Sequence, residues 1–264
     1  MGLTLAAAII ALVIALVSPK KYLSTATALP ANSLLSDKAR MFNTSVEILY
    51  SDFGSPDELD RLEGTGALDT IYIATAKELE LAPHYGLETN SEGAARAAVE
   101  LKKNSNIARS GYGELKVKVW DGDRNLAAAL ANSLLAQIQA LHQHLQQEGN
   151  MLALQKLEED DSIQKLSYKK IADSMTHLSG ADAEIMQARK SALLEQLQQY
   201  QKLMDQYRLA IATNPQTLLT VEKARAALWP DKPKVLPTVF FALAGAFIFS
   251  FLAALFIESR KLPS

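Results

Sequence analysis

Gly113-Glu-Leu-Lys-Val-Lys-Val-Trp-Asp-Gly-Asp-Arg-Asn-Leu-Ala-Ala-Ala-Leu-Ala-Asn-Ser133 changes its period in mid-course. Up to Val119 apolar and charged residues alternate, the two-residue period of a strand with one buried face. Beyond Asp123 the apolar positions Ala127, Leu130 and Leu134 recur at three- and four-residue steps, continuing through Ile138, Leu141 and Leu145, as on an amphipathic helix. Between the two, Asp121-Gly122 supplies a turn and Asp123 a helix cap. The chain thus joins strands to helices, and its fold class is read as α+β. The same Asp121-Gly-Asp123-Arg-Asn run invites a calcium reading. A calcium loop needs glycine at its sixth position and glutamate at its twelfth, and these hold Leu126 and Asn132.

Upstream, Ile107-Ala-Arg-Ser110 reads as a partner strand, with Gly111 and Gly113 marking the hairpin turn. Tyr22-Leu-Ser-Thr-Ala-Thr-Ala-Leu29, ended by Pro30, reads as another strand. Residues 36–51 have the spacing of a helix, with Leu35, Ala39, Met41, Phe42, Val46, Ile48 and Leu49 on one face. Ser55-Pro56-Asp57-Glu58 is a helix start: a capping residue, then proline and acids in the first turn. Further helices are expected from about 66 to 81, stopping before Pro83, and over 92–102.

Downstream, Leu154, Leu157, Ile163, Leu166, Ile171, Met175 and Leu178 carry the helical pattern on less regularly, with Gly149-Asn150 a place for it to bend and Ser179-Gly180 its stop. Met186, Leu193, Leu197, Tyr200, Met204, Tyr207 and Ile211 then mark a returning helix near period 3.5, ended by Asn214-Pro215. Joined through 178–182, the two predict an antiparallel hairpin about 75 Å long if each arm holds about 50 residues. Glu158-Glu-Asp-Asp161 is expected on its solvated faces, and 218–226 as a last strand returning to the sheet begun at Tyr22.

Two apolar runs frame this body. Residues 235–257 hold only Thr238 and Ser250 as polar side chains, and as a helix they would be about 34 Å long, enough to cross a bilayer. Residues 2–17 are apolar apart from Thr4 but shorter, about 24–27 Å. A cleaved signal peptide is the rival for this first run, although no basic residue precedes it and Ser18-Pro19-Lys20-Lys21 makes a poor cleavage context. Ala7, Ala11 and Ala15 in the first run, and Ala242, Ala246, Ser250 and Ala254 with Gly245 alongside in the second, form ridges of small residues on which membrane helices pack. The bland account of these ridges is that alanine is common in such helices. Charge does not orient the chain, because Lys20, Lys21, Lys232 and Lys234 lie at one end of the two spans and Arg260 and Lys261 at the other. Pro230, Pro233 and Pro237 favour a stiff extended connector with no helix until after the last. Trp229 fits either a lipid interface or a buried place in the membrane-proximal domain.

Composition narrows the chemistry. In 264 residues there are 27 Lys and Arg against 29 Asp and Glu, a balance that rules out a protein built around a basic nucleic-acid surface or an acidic solvating tail. The absence of cysteine removes disulfides, thiolate metal sites and a cysteine nucleophile. No phosphate-loop, serine-hydrolase or zinc-protease sequence occurs, and Gly64-Thr-Gly66 and Ser110-Gly-Tyr-Gly113 are glycine pairs in turns. His142 and His144 point about 200° apart on a helix and cannot share a metal, while His84 and His177 stand alone. No catalytic residue, metal ligand or cofactor site is therefore assigned.

The ordered set resembles the polysaccharide co-polymerases, the Wzz-type chain-length determinants of bacterial envelopes. Pro19-Lys-Lys-Tyr-Leu-Ser-Thr-Ala-Thr-Ala-Leu-Pro30 is similar to the family's strand after its first membrane helix. Leu101-Lys-Lys-Asn-Ser-Asn-Ile-Ala-Arg-Ser110 and the 113–133 run resemble its central hairpin and the start of its long helix. Pro230, Pro233 and Pro237, leading into a helix rich in small residues, resemble its C-terminal signature. The resemblance implies membrane helices over 1–18 and 235–257, a periplasmic α/β base over 19–123, a helical hairpin arm over 124–214, and a return strand and connector over 215–234. It also implies an inner-membrane protein with both termini, including the tail 258–264, in the cytoplasm. Such proteins form ring-like homo-oligomers and regulate the chain length of O-antigen, capsule or exopolysaccharide made by a partner polymerase from a lipid-linked glycan. The middle segment is short for the family, the N-terminal tail is nearly absent, and the chain after Ile257 leaves no room for the tyrosine-kinase domain fused to some relatives. The competing functions are a periplasmic sensor, for which the short tail supplies no output, and an envelope adaptor that bridges to a transporter.

Overall fold

The structure is a computed structural model that describes residues 17–30, 56–174 and 180–259. In chain order these form β1 (Tyr22–Pro30), α1 (Pro56–Gly66), α2 (Asp69–Glu78), α3 (Leu81–His84), α4 (Ser91–Lys103), β2 (Ser105–Arg109), β3 (Leu115–Asp121), α5 (Arg124–Ser174), α6 (Ala181–Thr213), β4 (Leu218–Glu222) and α7 (Val235–Ser259). The first apolar run with Ala7, Ala11 and Ala15, the expected helix over 36–51, Ser55, residues 175–179 with Met175, His177 and Leu178, and the tail beyond Ser259 lie outside the described residues.

The four strands make one antiparallel sheet in the order β2-β3-β1-β4. The expected alternation is present: along β3, Leu115, Val117 and Val119 are fully buried while Lys116, Lys118 and Trp120 face the other way. The apolar face, joined by Ala26 and Ala28 of β1 and Leu218 of β4, rests on the first turns of α5. There Leu130, Leu134 and Ile138 are completely buried, each stabilising the base by about 1.5–3 kcal/mol. Helices α1, α2 and α4 close the core with Leu62, Ile71, Tyr72 and Leu101.

Helix starts follow their local chemistry. Asp123 accepts from the backbone N–H of Asn125 at 2.8 Å and so caps α5, and Asn90 caps α4 by accepting from Gly93 N at 2.7 Å. At Gly93 a side chain is excluded, because a Cβ would lie 1.8 Å from the Glu88 carbonyl oxygen. Gly113, at φ +78°, makes the tight corner of the β2–β3 hairpin, where Ser110 N donates to Glu114 O at 2.7 Å.

Several expectations are corrected. The helix expected over 66–81 is the shorter α2, Asp69–Glu78, after which Glu80 at φ 47° turns the chain into the one-turn α3. Pro83 lies inside α3, where the first turn needs no N–H from it. Gly64 and Gly66 are in the last turn of α1 rather than in an open turn. Helix α5 runs unbroken through Gly149-Asn150, because good helix formers on both sides offset one glycine. The arms are unequal, 51 residues in α5 and 33 in α6, since the first turns of α5 belong to the base core and only the rest has α6 to pair with. β4 stops at Glu222 rather than near Ala226 because the side chain of Asn132 takes over, accepting from Ala224 N at 2.8 Å and donating to Ala224 O at 3.0 Å. α7 begins at Val235, with Pro237 in its first turn rather than ahead of it. Individual side chains of α7 are described at 237 and 239–252, and within those described residues alone no helix is long and apolar enough to cross a membrane.

Candidate functional site

The two chain segments next to the apolar runs are bound together. Lys21 N donates to Lys232 O at 3.0 Å, and Asp231 N and Lys232 N both donate to Lys21 O, at 2.9 and 3.2 Å. Side chains reinforce this clamp: Trp120 Nε1 donates to Asp231 Oδ2 at 2.8 Å, the Lys232 ammonium stands 4.4 Å from the centre of the Trp120 ring, and Lys21 Nζ donates to Asn104 Oδ1. Of the proline set, Pro230 and Pro233 belong to this clamp while Pro237 is in α7. Sequence reading set Lys21 and Lys232 near the bilayer but did not pair them, and it gave Trp120 no role. The signal it had was two short polar segments, each next to an apolar run.

The clamp and the arm are at opposite ends of the sheet. Tyr22 pairs with Asp121, so α5 begins beside the clamp. Pro30 pairs with Leu218 at the far end, where Thr217 Oγ1 donates to Gln139 O and Gln143 Nε2 to Pro215 O, both at 3.5 Å. From there α5 continues past the sheet, with α6 antiparallel beside it.

Asp121 is the hub of the clamp end. Buried at the end of β3, its Oδ1 accepts from Asp123 N at 2.9 Å and lies 3.1 Å from His84 Nε2, while its Oδ2 accepts from the Tyr85 hydroxyl at 3.2 Å. Burial, and then the Asp121 charge, push the Tyr85 phenol above the ordinary tyrosine range. Thus His84, expected to stand alone, ties α3 to the strand–helix turn. His142 joins α1 to α5 with Nε2 2.6 Å from Thr65 Oγ1, and burial lowers its pKa. His144 lies 3.3 Å from Glu148 on the same helix. Glu78 is held below its usual pKa by donation from Ser133, then Gln137, at 2.6 and 3.0 Å.

Along the arm, Leu197 and Met204 of α6 are buried as the seam predicts, but Leu145, Ile163 and Leu166 of α5 are exposed. Asp161, expected on a solvated face, is buried between the helices. Its two carboxylate oxygens accept from Gln201 Nε2 at 3.3 Å each, and Lys165 Nζ is 2.7 Å from Oδ2. Its spacing from Leu154 and Leu157 places it on their seam, which was the available signal.

Ala242, Ala246 and Ser250 of α7 are half-buried along one ridge, and a Cβ at Gly245 would meet nothing within 4 Å among the described residues. The Ala254 side chain lies outside the described residues. Trp229 is exposed, which removes the alternative of a buried aromatic. A polar depression of about 330 Å³ at the start of α4 is lined by Glu88, Asn90, Glu92 and Arg96. Its charges answer one another, with Arg96 2.7 Å from Glu92 and Asn90 donating to Glu88 at 2.9 Å. Among the described residues no group of three His, Asp or Glu side chains could hold a metal ion.

No family model and no curated protein matches the chain. Among solved structures it is similar to a full-length bacterial polysaccharide co-polymerase, at 13% identity and a TM-score of 0.37 over 98% of this chain and 94% of that one. It is also similar to a fragment of WzzB, a polysaccharide co-polymerase from Salmonella Typhimurium, at 13% identity and a TM-score of 0.34 over 81% of this chain and all of the fragment. A likeness of that size does not assign a function.

Proposed function

We propose that the chain is a non-enzymatic, two-pass protein of the bacterial inner membrane that regulates the chain length of a surface polysaccharide made by a partner polymerase. The observation that carries this reading is the placement of the clamp and the arm at opposite ends of one sheet. A clamp that joins the chain just after one apolar run to the chain just before the other suits a body anchored at one end by two adjacent membrane helices. An arm directed the opposite way suits a structure that reaches from the membrane along a growing glycan. The residue order resembling the Wzz-type co-polymerases supports the same reading.

In this proposal 1–18 and 235–257 are the membrane helices, the base and arm are periplasmic, and both termini are cytoplasmic. The small-residue ridges, including Ala242, Ala246 and Ser250, pack helices together within a ring of copies, and the arms hold the lipid-linked glycan or its polymerase. Deleting the gene should alter the length distribution of the surface polysaccharide on a gel, and an unaltered ladder would remove the functional claim. Ala246→Leu combined with Ser250→Leu should shrink the assembly in detergent, and an unchanged size would count against the ridge. Co-purification of a transporter in place of a polymerase would favour an envelope adaptor.

A further inference from the structure

We infer that the clamp is also a binding surface for anionic phospholipid headgroups in the leaflet that faces the base, an assignment that rests on the membrane reading above. Two ties set its geometry. Ser24 Oγ donates to Arg225 O at 2.9 Å, and Asp231 N donates to Lys21 O at 2.9 Å. Ser24 and Lys21 are about 10 Å apart along an extended strand, a span far shorter than the chain available between Arg225 and Asp231. The surplus chain bulges, and at its crest Leu228 is 79% and Trp229 81% exposed.

Charge completes the surface. The two clamped segments, 17–22 and 228–235, carry Lys20, Lys21, Lys232 and Lys234 against one acid, Asp231, whose Oδ2 is taken by the Trp120 indole. Lys20, Lys232 and Lys234 are exposed, and the Trp120 ring holds the Lys232 ammonium in place. All of this adjoins the first turn of the uncharged face of α7. An exposed tryptophan beside clustered lysines, at the end of an apolar helix, matches the chemistry of the bilayer boundary. There indole rings lie at headgroup level and ammonium groups meet lipid phosphates. The polar lysines and apolar crest are thereby complementary to one occupant, a lipid surface with negative headgroups.

The test uses the full chain reconstituted in bilayers of phosphatidylcholine and phosphatidylglycerol in equal parts. Flotation of the preparation comes first. A chain that fails to float with the vesicles overturns the membrane reading itself, and the inference with it. Spin-labelled phosphatidylglycerol should then be retained about fivefold over spin-labelled phosphatidylcholine, the equivalent of one well-placed lysine. Replacing all four residues, Lys20→Gln, Lys21→Gln, Lys232→Gln and Lys234→Gln, should bring the ratio near one, while the four Lys→Arg replacements keep it. A second measurement does not depend on the lysine variants folding: a lipid brominated near its headgroup should quench Trp229 emission, and Trp229→Phe should remove most of that quenching. Equal retention of the two lipids by the floating, unaltered chain overturns the inference alone. So does an unchanged preference in the Gln variant, or undiminished quenching in Trp229→Phe.

Discussion

The base and the arm are built from the same helical pattern but stabilised differently. In the base the apolar face of α5 meets the sheet together with α1 and α2, so Leu130, Leu134 and Ile138 have no exposure. In the arm the same helix has α6 for its neighbour. Leu197, Met204, Ala210 and Asp161 are buried there, whereas Met151, Leu152, Ile163 and Leu166 remain in solvent. A three-dimensional core couples each residue to many others, while a two-helix seam is nearly one-dimensional, with each contact supporting only its neighbours. The base should therefore unfold as a unit and the arm open locally.

One substitution type applied in both regions breaks this contrast most directly. Leu134→Ala should cost about 3–4 kcal/mol in global denaturant unfolding, from lost burial and the cavity left behind. Leu197→Ala should cost about 2 kcal/mol, seen as faster amide exchange confined to the arm. Equal global effects would mean that base and arm fold as a single cooperative unit.

Gly93→Ala tests the base by sign. Helix propensity alone would favour alanine by about 1 kcal/mol. The Cβ, 1.8 Å from the Glu88 carbonyl, should instead make the variant less stable by about 2 kcal/mol on thermal melting. In the arm, Gln201→Leu should cost about 1–2 kcal/mol by removing a donor from the buried Asp161 carboxylate. Asp161→Leu, which removes the charge itself, should be near neutral or stabilising, with loss of a single seam register in cross-linking.

The smallest effect is a pH slope at His142, where the base passes into the arm. Burial lowers its folded-state pKa, so the unfolded chain binds the proton more readily. Its contribution is complete above about pH 6.5, the unfolded value, and declines as pH falls through the lower folded value. Stability measured from pH 8 down to pH 5 should fall less steeply in His142→Gln than in the unaltered chain.

Much of the fold was legible in local pattern. The alternation in 114–119 gave β3, the cap at Asp123 placed the start of α5, and Asn214-Pro215 ended α6. Of the candidate site, the proline segment and the neighbouring lysines stood out, but their meeting across the clamp did not. That meeting joins Lys21 to Lys232 and Trp120 to Asp231, residues with no shared period and far apart in the chain. Asp161 misled for the opposite reason: its acidic neighbours suggested solvent, while its register placed it on the seam.

By itself the sequence determined where most of the described strands and helices fall, where the uncharged run of α7 lies, and that no familiar catalytic motif is present. These are properties of spacing and composition within a few turns of chain. Only the tertiary structure decided that β1 pairs with both β3 and β4, that the long helix divides its length between a core and an arm, and that the segments at Lys21 and Lys232 are clamped together. A period defines a face, but what covers that face is set by distant residues, whose positions follow from packing the whole.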